Sequence, residues 1–183
     1  MKVYILVILA SLITLLSLNA KAEGVEKKFN VGLGTYALKI AYDNVNVSDD
    51  DLSGFGISVL YAVSDQFAFR GQYYILEHDD LSALDDTGID LVAYFGTGLA
   101  THGFKAYIGG GLFNETWELS GVEESFSGLQ INGGLGYNWD VVALDFVLGI
   151  RDPSDYEDFI RRALLVNVDA AAISGSLILS ARF

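Results

Sequence analysis

The chain has 183 residues, no cysteine and a formal net charge of −13. The lack of cysteine excludes a disulfide framework and a thiol-linked lipid anchor, and so acidic a surface excludes nucleic acid, whose phosphates it would repel. The length suits one domain, and glycines and charges interrupt every later apolar stretch well short of the roughly 20 residues a spanning helix needs.

Residues 1–22 read as a targeting segment. Lys2 supplies a positive start, Val3 to Leu18 form an apolar run, and Asn19-Ala20-Lys21-Ala22 carries the small-x-small pattern of a signal peptidase site, with Ala20 and Ala22 as its small residues. Cleavage after Ala22 leaves residues 23–183 as the domain.

From there the sequence alternates with period two, the mark of strands that have two unlike faces. The first candidate strand, Asn30 to Tyr42, puts Val31, Leu33, Thr35 and Ala37 on one face, which would also carry Lys39. A bulge near Leu38 is expected to turn Lys39 inward and Ile40 and Tyr42 outward. Phe55, Ile57, Val59 and Tyr61 mark the second strand, and Phe67, Phe69 and Tyr73, set against Arg70 and Gln72, mark the third. Ile89, Leu91, Ala93 and Phe95 alternate with Asp90, Val92, Tyr94 and Gly96, and Phe104, Ala106, Ile108 and Leu112 with Lys105, Tyr107, Gly109 and Glu115. Leu129, Ile131, Leu135 and Tyr137 alternate with Gln130, Asn132, Gly134 and Asn138. Val142, Leu144, Phe146, Leu148 and Ile150 alternate with Ala143, Asp145, Val147 and Arg151. The last strand, Ala170 to Phe183, sets Ile173, Leu177, Leu179, Ala181 and Phe183 against Ser174, Ser176, Ser180 and Arg182.

Connections alternate in length as well. Tight turns are expected around Ser64-Asp65, Thr101-His102-Gly103 and Asn138-Trp139-Asp140, and longer acidic loops over Asp43 to Asp51, Glu77 to Thr87, Glu118 to Glu124 and Asp152 to Val168. In the last loop Ser154-Asp155-Tyr156-Glu157 fits a capping box, with Phe159, Ile160 and Leu164 on one helical face.

Alternation alone suits a soluble barrel as well as a membrane one, with recovery in the soluble periplasmic fraction as the mark of the former. Ring volume decides between them. Phe55, Tyr61, Phe67, Phe69, Tyr73, Phe95, Phe104, Tyr137 and Phe146 would overfill an eight-stranded interior, so their face belongs in lipid. Tyr61, Phe67, Phe104, Tyr137 and Phe183 would form a girdle near the short turns. The expected fold is all-β: an eight-stranded antiparallel up-and-down transmembrane β-barrel preceded by a cleaved signal peptide.

With its signal segment, eight alternating strands, unequal connections and terminal phenylalanine, the chain resembles the outer-membrane protein β-barrel domain family, of the OmpA-transmembrane-domain or OmpX/Ail-like type. The motif Leu177-x-Leu179-x-Ala181-x-Phe183 is similar to that family's assembly signal. It departs from it in placing glycine at 175, further from the end than usual, and alanine where a larger residue is usual at 181. The resemblance implies the bacterial outer membrane as location, with long loops extracellular and both mature termini periplasmic. It implies membrane lipid, lipopolysaccharide and the barrel-assembly machinery as partners.

Seven charged residues fall on the inward face: Asp90, Glu115 and Arg151 toward the loops, Arg70, Lys105 and Arg182 toward the turns, and Asp145 between. Buried charges must pair, so they form either a structural plug or a gated path. A small-conductance channel is the alternative function. Lipid-modifying enzymes of such membranes need a serine activated by histidine. His102 lies in a turn, and His78 lacks the His-x-Ser spacing of the deacylase pattern although Ser82 and Asp79 are near in sequence. The expected role is therefore structural or surface-interacting, non-enzymatic and without a cofactor. The acidic runs Asp49-Asp50-Asp51, Asp79-Asp80, Asp85-Asp86, Glu123-Glu124 and Asp155 to Asp158 are candidate contacts for divalent cations or a surface ligand, although none has calcium-loop spacing. Arg161-Arg162 are candidate contacts for lipid phosphates.

Overall fold

The computed structural model describes residues 26–81 and 83–183. The expected signal segment, with Ala20 and Ala22, lies outside them. Eight strands follow the alternation: β1 (Phe29–Tyr42), β2 (Asp50–Ala62), β3 (Phe67–His78), β4 (Leu84–Thr97), β5 (Gly103–Leu119), β6 (Val122–Asn138), β7 (Val142–Arg151) and β8 (Ala170–Arg182). A helix, α1 (Ser154–Leu164), lies between β7 and β8.

Each strand pairs antiparallel with its sequence neighbours, and β8 returns to β1, closing the barrel. The seam ends in a reciprocal rung in which Phe29 N–H donates to the Phe183 carbonyl at 3.2 Å and Phe183 N–H to that of Phe29 at 2.8 Å. Closure leaves no sheet edge, which is the condition for strands to cross a bilayer.

The outward rows are apolar through the middle of the barrel. Phe55, Phe95, Ile108, Leu129 and Ile150 are all more than half exposed. A continuous belt of that kind is far larger than the apolar patches water tolerates, and it belongs in lipid. Near the short turns Phe29 packs on Tyr61 and Tyr137 on Trp139, each with ring centroids 4.8 Å apart. With exposed Phe104 and Phe183 they form the aromatic girdle of an interface.

The structure corrects the expected register of β1. Pairing with β2 and β8 runs unbroken through Leu38, Lys39 and Ile40, with no bulge. Lys39 stays outside, where its ammonium sits 3.0 Å from both Asp49 and Asp51, and Ile40 is fully buried inside. Cross-strand acids beyond the belt solvate and pair the lysine, which removes the reason for a bulge.

Two of the expected long loops are short. β3 and β4 run to His78 and from Leu84, and β5 and β6 meet in the two-residue turn Ser120-Gly121. Both turn residues have positive φ, 54° and 82°, the geometry of a type I′ hairpin. Glu77, Asp85, Glu118 and Glu123 are therefore strand residues, opposite one another in sequence of pairing, rather than loop residues.

The loop helix is present but is not capped as expected. Asp152 accepts both the Ser154 N–H at 3.1 Å and its hydroxyl at 2.6 Å, so the capping oxygen comes from before Pro153. Those bonds hold the Asp152 carboxyl below its usual range. Asp155 and Glu157 in the first turn and Arg161 and Arg162 in the last suit the helix dipole. Tyr156 and Ile160 are the buried residues of α1, and Leu164 is exposed.

Candidate functional site

The inward rows converge on two ionic layers. In the loop-end layer, Arg151 of β7 reaches across the barrel to β5, β4, β3 and β1. Its Nη1 donates to Glu115 at 2.5 Å, and its Nη2 lies 3.0 Å from Asp90, 2.6 Å from the Tyr36 hydroxyl and 2.9 Å from that of Tyr74. The tyrosines pass the contact on, Tyr36 donating to Asp90 at 2.6 Å and Tyr74 to Glu115 at 2.9 Å. Their rings stack at 4.2 Å, and the guanidinium lies 4.6 Å over Phe113. Each ion is thus desolvated but multiply bonded, which is the arrangement in which a buried pair is tolerated.

Glu115 also anchors the barrel mouth. Its second oxygen accepts from the Tyr156 hydroxyl of α1 at 2.8 Å and from the Trp117 indole at 3.2 Å, so all four lone-pair directions of the carboxylate are used. Tyr156 stacks on Phe126 at 4.8 Å, and Phe113, Trp117 and Phe159 complete the plug.

The turn-end layer centres on Asp145 of β7. It accepts from Lys105 at 2.7 Å and from the Tyr107 hydroxyl at 2.5 Å, and faces Arg70 at 3.2 Å. Arg70 packs on the rings of Tyr94 and Tyr107, at 5.3 and 5.5 Å. Room for these side chains comes from glycines opposite. A Cβ on Gly134 would lie 2.3 Å from the Tyr107 ring, and one on Gly88 would lie 2.3 Å from that of Tyr74. Between the layers a cavity of about 10 Å³, lined by Tyr36, Arg70, Gln72, Asp90, Asn132 and Ser176 among others, has space for about one water.

All seven inward charges therefore sit inside, and six of them join the two layers. Arg182 instead donates to the carbonyls of Trp139 at 2.6 Å and Ala100 at 2.8 Å, closing the turn end. Asp65 staples two turns there, accepting from the Gly98, Ala100 and Thr101 N–H groups and from the Thr101 hydroxyl. Partial burial opposes its ionisation, but these bonds outweigh that and hold its carboxyl below the usual range.

Sequence reasoning did not single out Tyr36 or Tyr74, placed Tyr156 only in a capping box, and took Asp86 with Asp85 for an acidic loop run open to cations or a surface ligand. The period-two count from Asp90 and Glu115 places Asp86 inward, and Asp86 is fully buried rather than part of an acidic loop. The terminal residues Leu177, Leu179 and Phe183 face outward as part of the belt, and Ala181 shares their row but is covered by its neighbours.

The other candidates stay apart. The His78 Nδ1 accepts from the Asp80 and Leu81 N–H groups, which leaves its proton on Nε2, 3.2 Å from Asp50. His102 lies at the turn end, 3.8 Å from Asp140. Among the described residues no three His, Asp or Glu side chains are placed to hold a metal ion. Arg161 and Arg162 pair with Asp158 and Glu124 on the outside of α1.

No family model and no curated protein sequence matches the chain. Solved structures do. The chain is similar to Neisserial surface protein A, with 17% identity and a TM-score of 0.59 over 85% of this chain and 97% of that one. It is similar to the outer membrane protein OprG of Pseudomonas aeruginosa, with 14% identity and a TM-score of 0.56 over 89% and 99%. It is also similar to Ail, the attachment invasion locus protein of Yersinia pestis, with 15% identity and a TM-score of 0.55 over 87% and 100%. At these identities the likeness establishes the fold, that of the small outer-membrane β-barrels.

Proposed function

We propose that this chain is a sealed, non-enzymatic barrel of the bacterial outer membrane that acts through its loop-end surface, in envelope integrity or surface interaction. The observation that carries this reading is the filled interior. Two cross-barrel ionic layers and an aromatic plug span the interior, and the cavity between the layers, about 10 Å³, has space for about one water rather than for a path of hydrated ions. The long connections face the cell exterior and the termini the periplasm, a reading supported by the girdle at the short-turn end and the charged residues beyond the belt at the other.

The loop-end surface is rich in acids, so its partners are cationic or reached through divalent cations that also touch lipopolysaccharide phosphates. Attachment, which the name of the Yersinia pestis protein carries for that protein, is a functional parallel to this reading. A catalytic role finds no support in the histidines: His78 is spent on Asp50 and loop N–H groups, and His102 is remote from the outer leaflet.

Reconstitution of the folded protein in planar bilayers tests the sealed reading. A flat baseline is expected, and steady single-channel openings would replace it with the small-channel alternative. A deletion strain scored for detergent sensitivity and for adhesion then separates integrity from interaction.

A further inference from the structure

We propose that Asp86 is a proton-binding site that latches α1 over the barrel mouth, the plug staying seated while this carboxyl is neutral and loosening when it ionises. Asp86 has no solvent exposure, and neither of its oxygens has a hydrogen-bond partner. A carboxylate so placed is cut off from bulk solvent and has no cation within salt-bridge distance, which favours the neutral acid.

The surroundings offer no cation to spare. On β3, Leu76 stands opposite Asp86, flanked by Tyr74 and His78. On β5, Trp117 stands opposite and Glu115 is the next inward residue. Leu84 and Gly88 are the inward residues on either side of it on β4, with Asp90 one further on, and Trp117 carries the contact onward, its ring 4.8 Å from that of Phe126 on β6 and 6.1 Å from that of Tyr156 on α1 in one buried cluster. The Arg151 Nη1 and Nη2 already serve Glu115, Asp90 and two tyrosines, and only its Nε lacks a partner. His78 turns Nδ1 to the Asp80 and Leu81 N–H groups and Nε2 to Asp50, so neither ring nitrogen is directed at Asp86. The mouth thus holds Asp86, Asp90 and Glu115 against a single guanidinium. A proton on the unpartnered acid is the least disruptive way to reduce that excess.

The response to ionisation follows from what can move. The strands around Asp86 are fixed by pairing on both sides, whereas α1 has only Tyr156 and Ile160 buried. Water reaches an ionised Asp86 most readily when α1 lifts and Tyr156 leaves Glu115. Raising the pH should therefore expose Trp117, the ring directly opposite.

The chain has two tryptophans, and Trp139 binds Arg182 only through its backbone carbonyl, so Trp139→Phe leaves Trp117 as sole reporter in the folded, micelle-bound barrel. Acrylamide quenching of Trp117 would be followed from about pH 5 to about pH 10. The expected result is a severalfold rise over a one-proton transition, and a flat, low response in Asp86→Asn. A transition unchanged in Asp86→Asn, or no transition in the parent, overturns the proposal. Should Asp86→Asn not fold, infrared spectra of the parent decide: a neutral-carboxyl band at mildly acidic pH that disappears on alkalinisation supports it, and absence of that band overturns it.

Discussion

The two ionic layers are built from the same materials and end in opposite states. At the turn end Asp145 faces Lys105 and Arg70, and the additional cation, Arg182, is absorbed by backbone carbonyls. At the loop end the imbalance is negative, Arg151 is shared between Asp90 and Glu115, and Asp86 is left with nothing. Carbonyl oxygens pointing into a barrel end can satisfy surplus cations, but a strand wall whose N–H groups are all used in pairing has no equivalent for surplus anions. The turn end is a finished closure, and the loop end depends on one guanidinium.

That difference sets an order of effects. Arg151→Met strands two buried carboxylates and should cost about 3–5 kcal/mol, seen as a large drop in the urea midpoint of the lipid-folded barrel. Asp145→Asn leaves Lys105 and Arg70 buried without their carboxylate and should cost about 3 kcal/mol, at the lower end of that range because the amide oxygen still accepts from one of the donors; a larger loss here than in Arg151→Met would break the comparison. Gly134→Ala drives a methyl into the Tyr107 ring and should cost about 1–2 kcal/mol by overpacking, with the midpoint shift accompanied by altered near-UV tyrosine dichroism. Asp65→Ala should cost about 1 kcal/mol and sharpen the comparison through pH. Its folded carboxyl titrates below the unfolded one, so its stabilisation is complete above the unfolded pKa, about 4, and is lost as the pH falls through the lower folded value. The parent should lose stability in that acid window, and Asp65→Ala should lose less.

Much of the barrel was legible because lipid and interior impose opposite demands on successive residues. Ile173, Leu177 and Leu179 against Ser174, Ser176 and Ser180 leave no alternative register. Legibility failed where charge was read as a sign of loop. Glu118 and Glu123 look like loop residues, yet Ser120-Gly121 between them is hairpin chemistry, and acids are at ease on strands that project past the lipid. Lys39 misled for the same reason, since its partners Asp49 and Asp51 lie across a turn that the sequence does not fold for the reader. In the site, the seven charges followed from alternation, but which carboxylate each cation serves did not. That pairing depends on the stagger of strands around the closed wall, and on Tyr36 and Tyr74, whose rings suit either face.

The reciprocal rung between Phe29 and Phe183 bears on how fast the molecule is made. Adjacent hairpins need only short loops to close, but the β1–β8 seam joins the parts of the barrel most distant along the chain, and the loop closure it requires is the largest in the fold. Contacts of such long range form late and slow the whole process. Until the seam closes, both flanking strands expose unpaired backbone and an oily face, so the time spent before closure is the time during which the protein is open to aggregation.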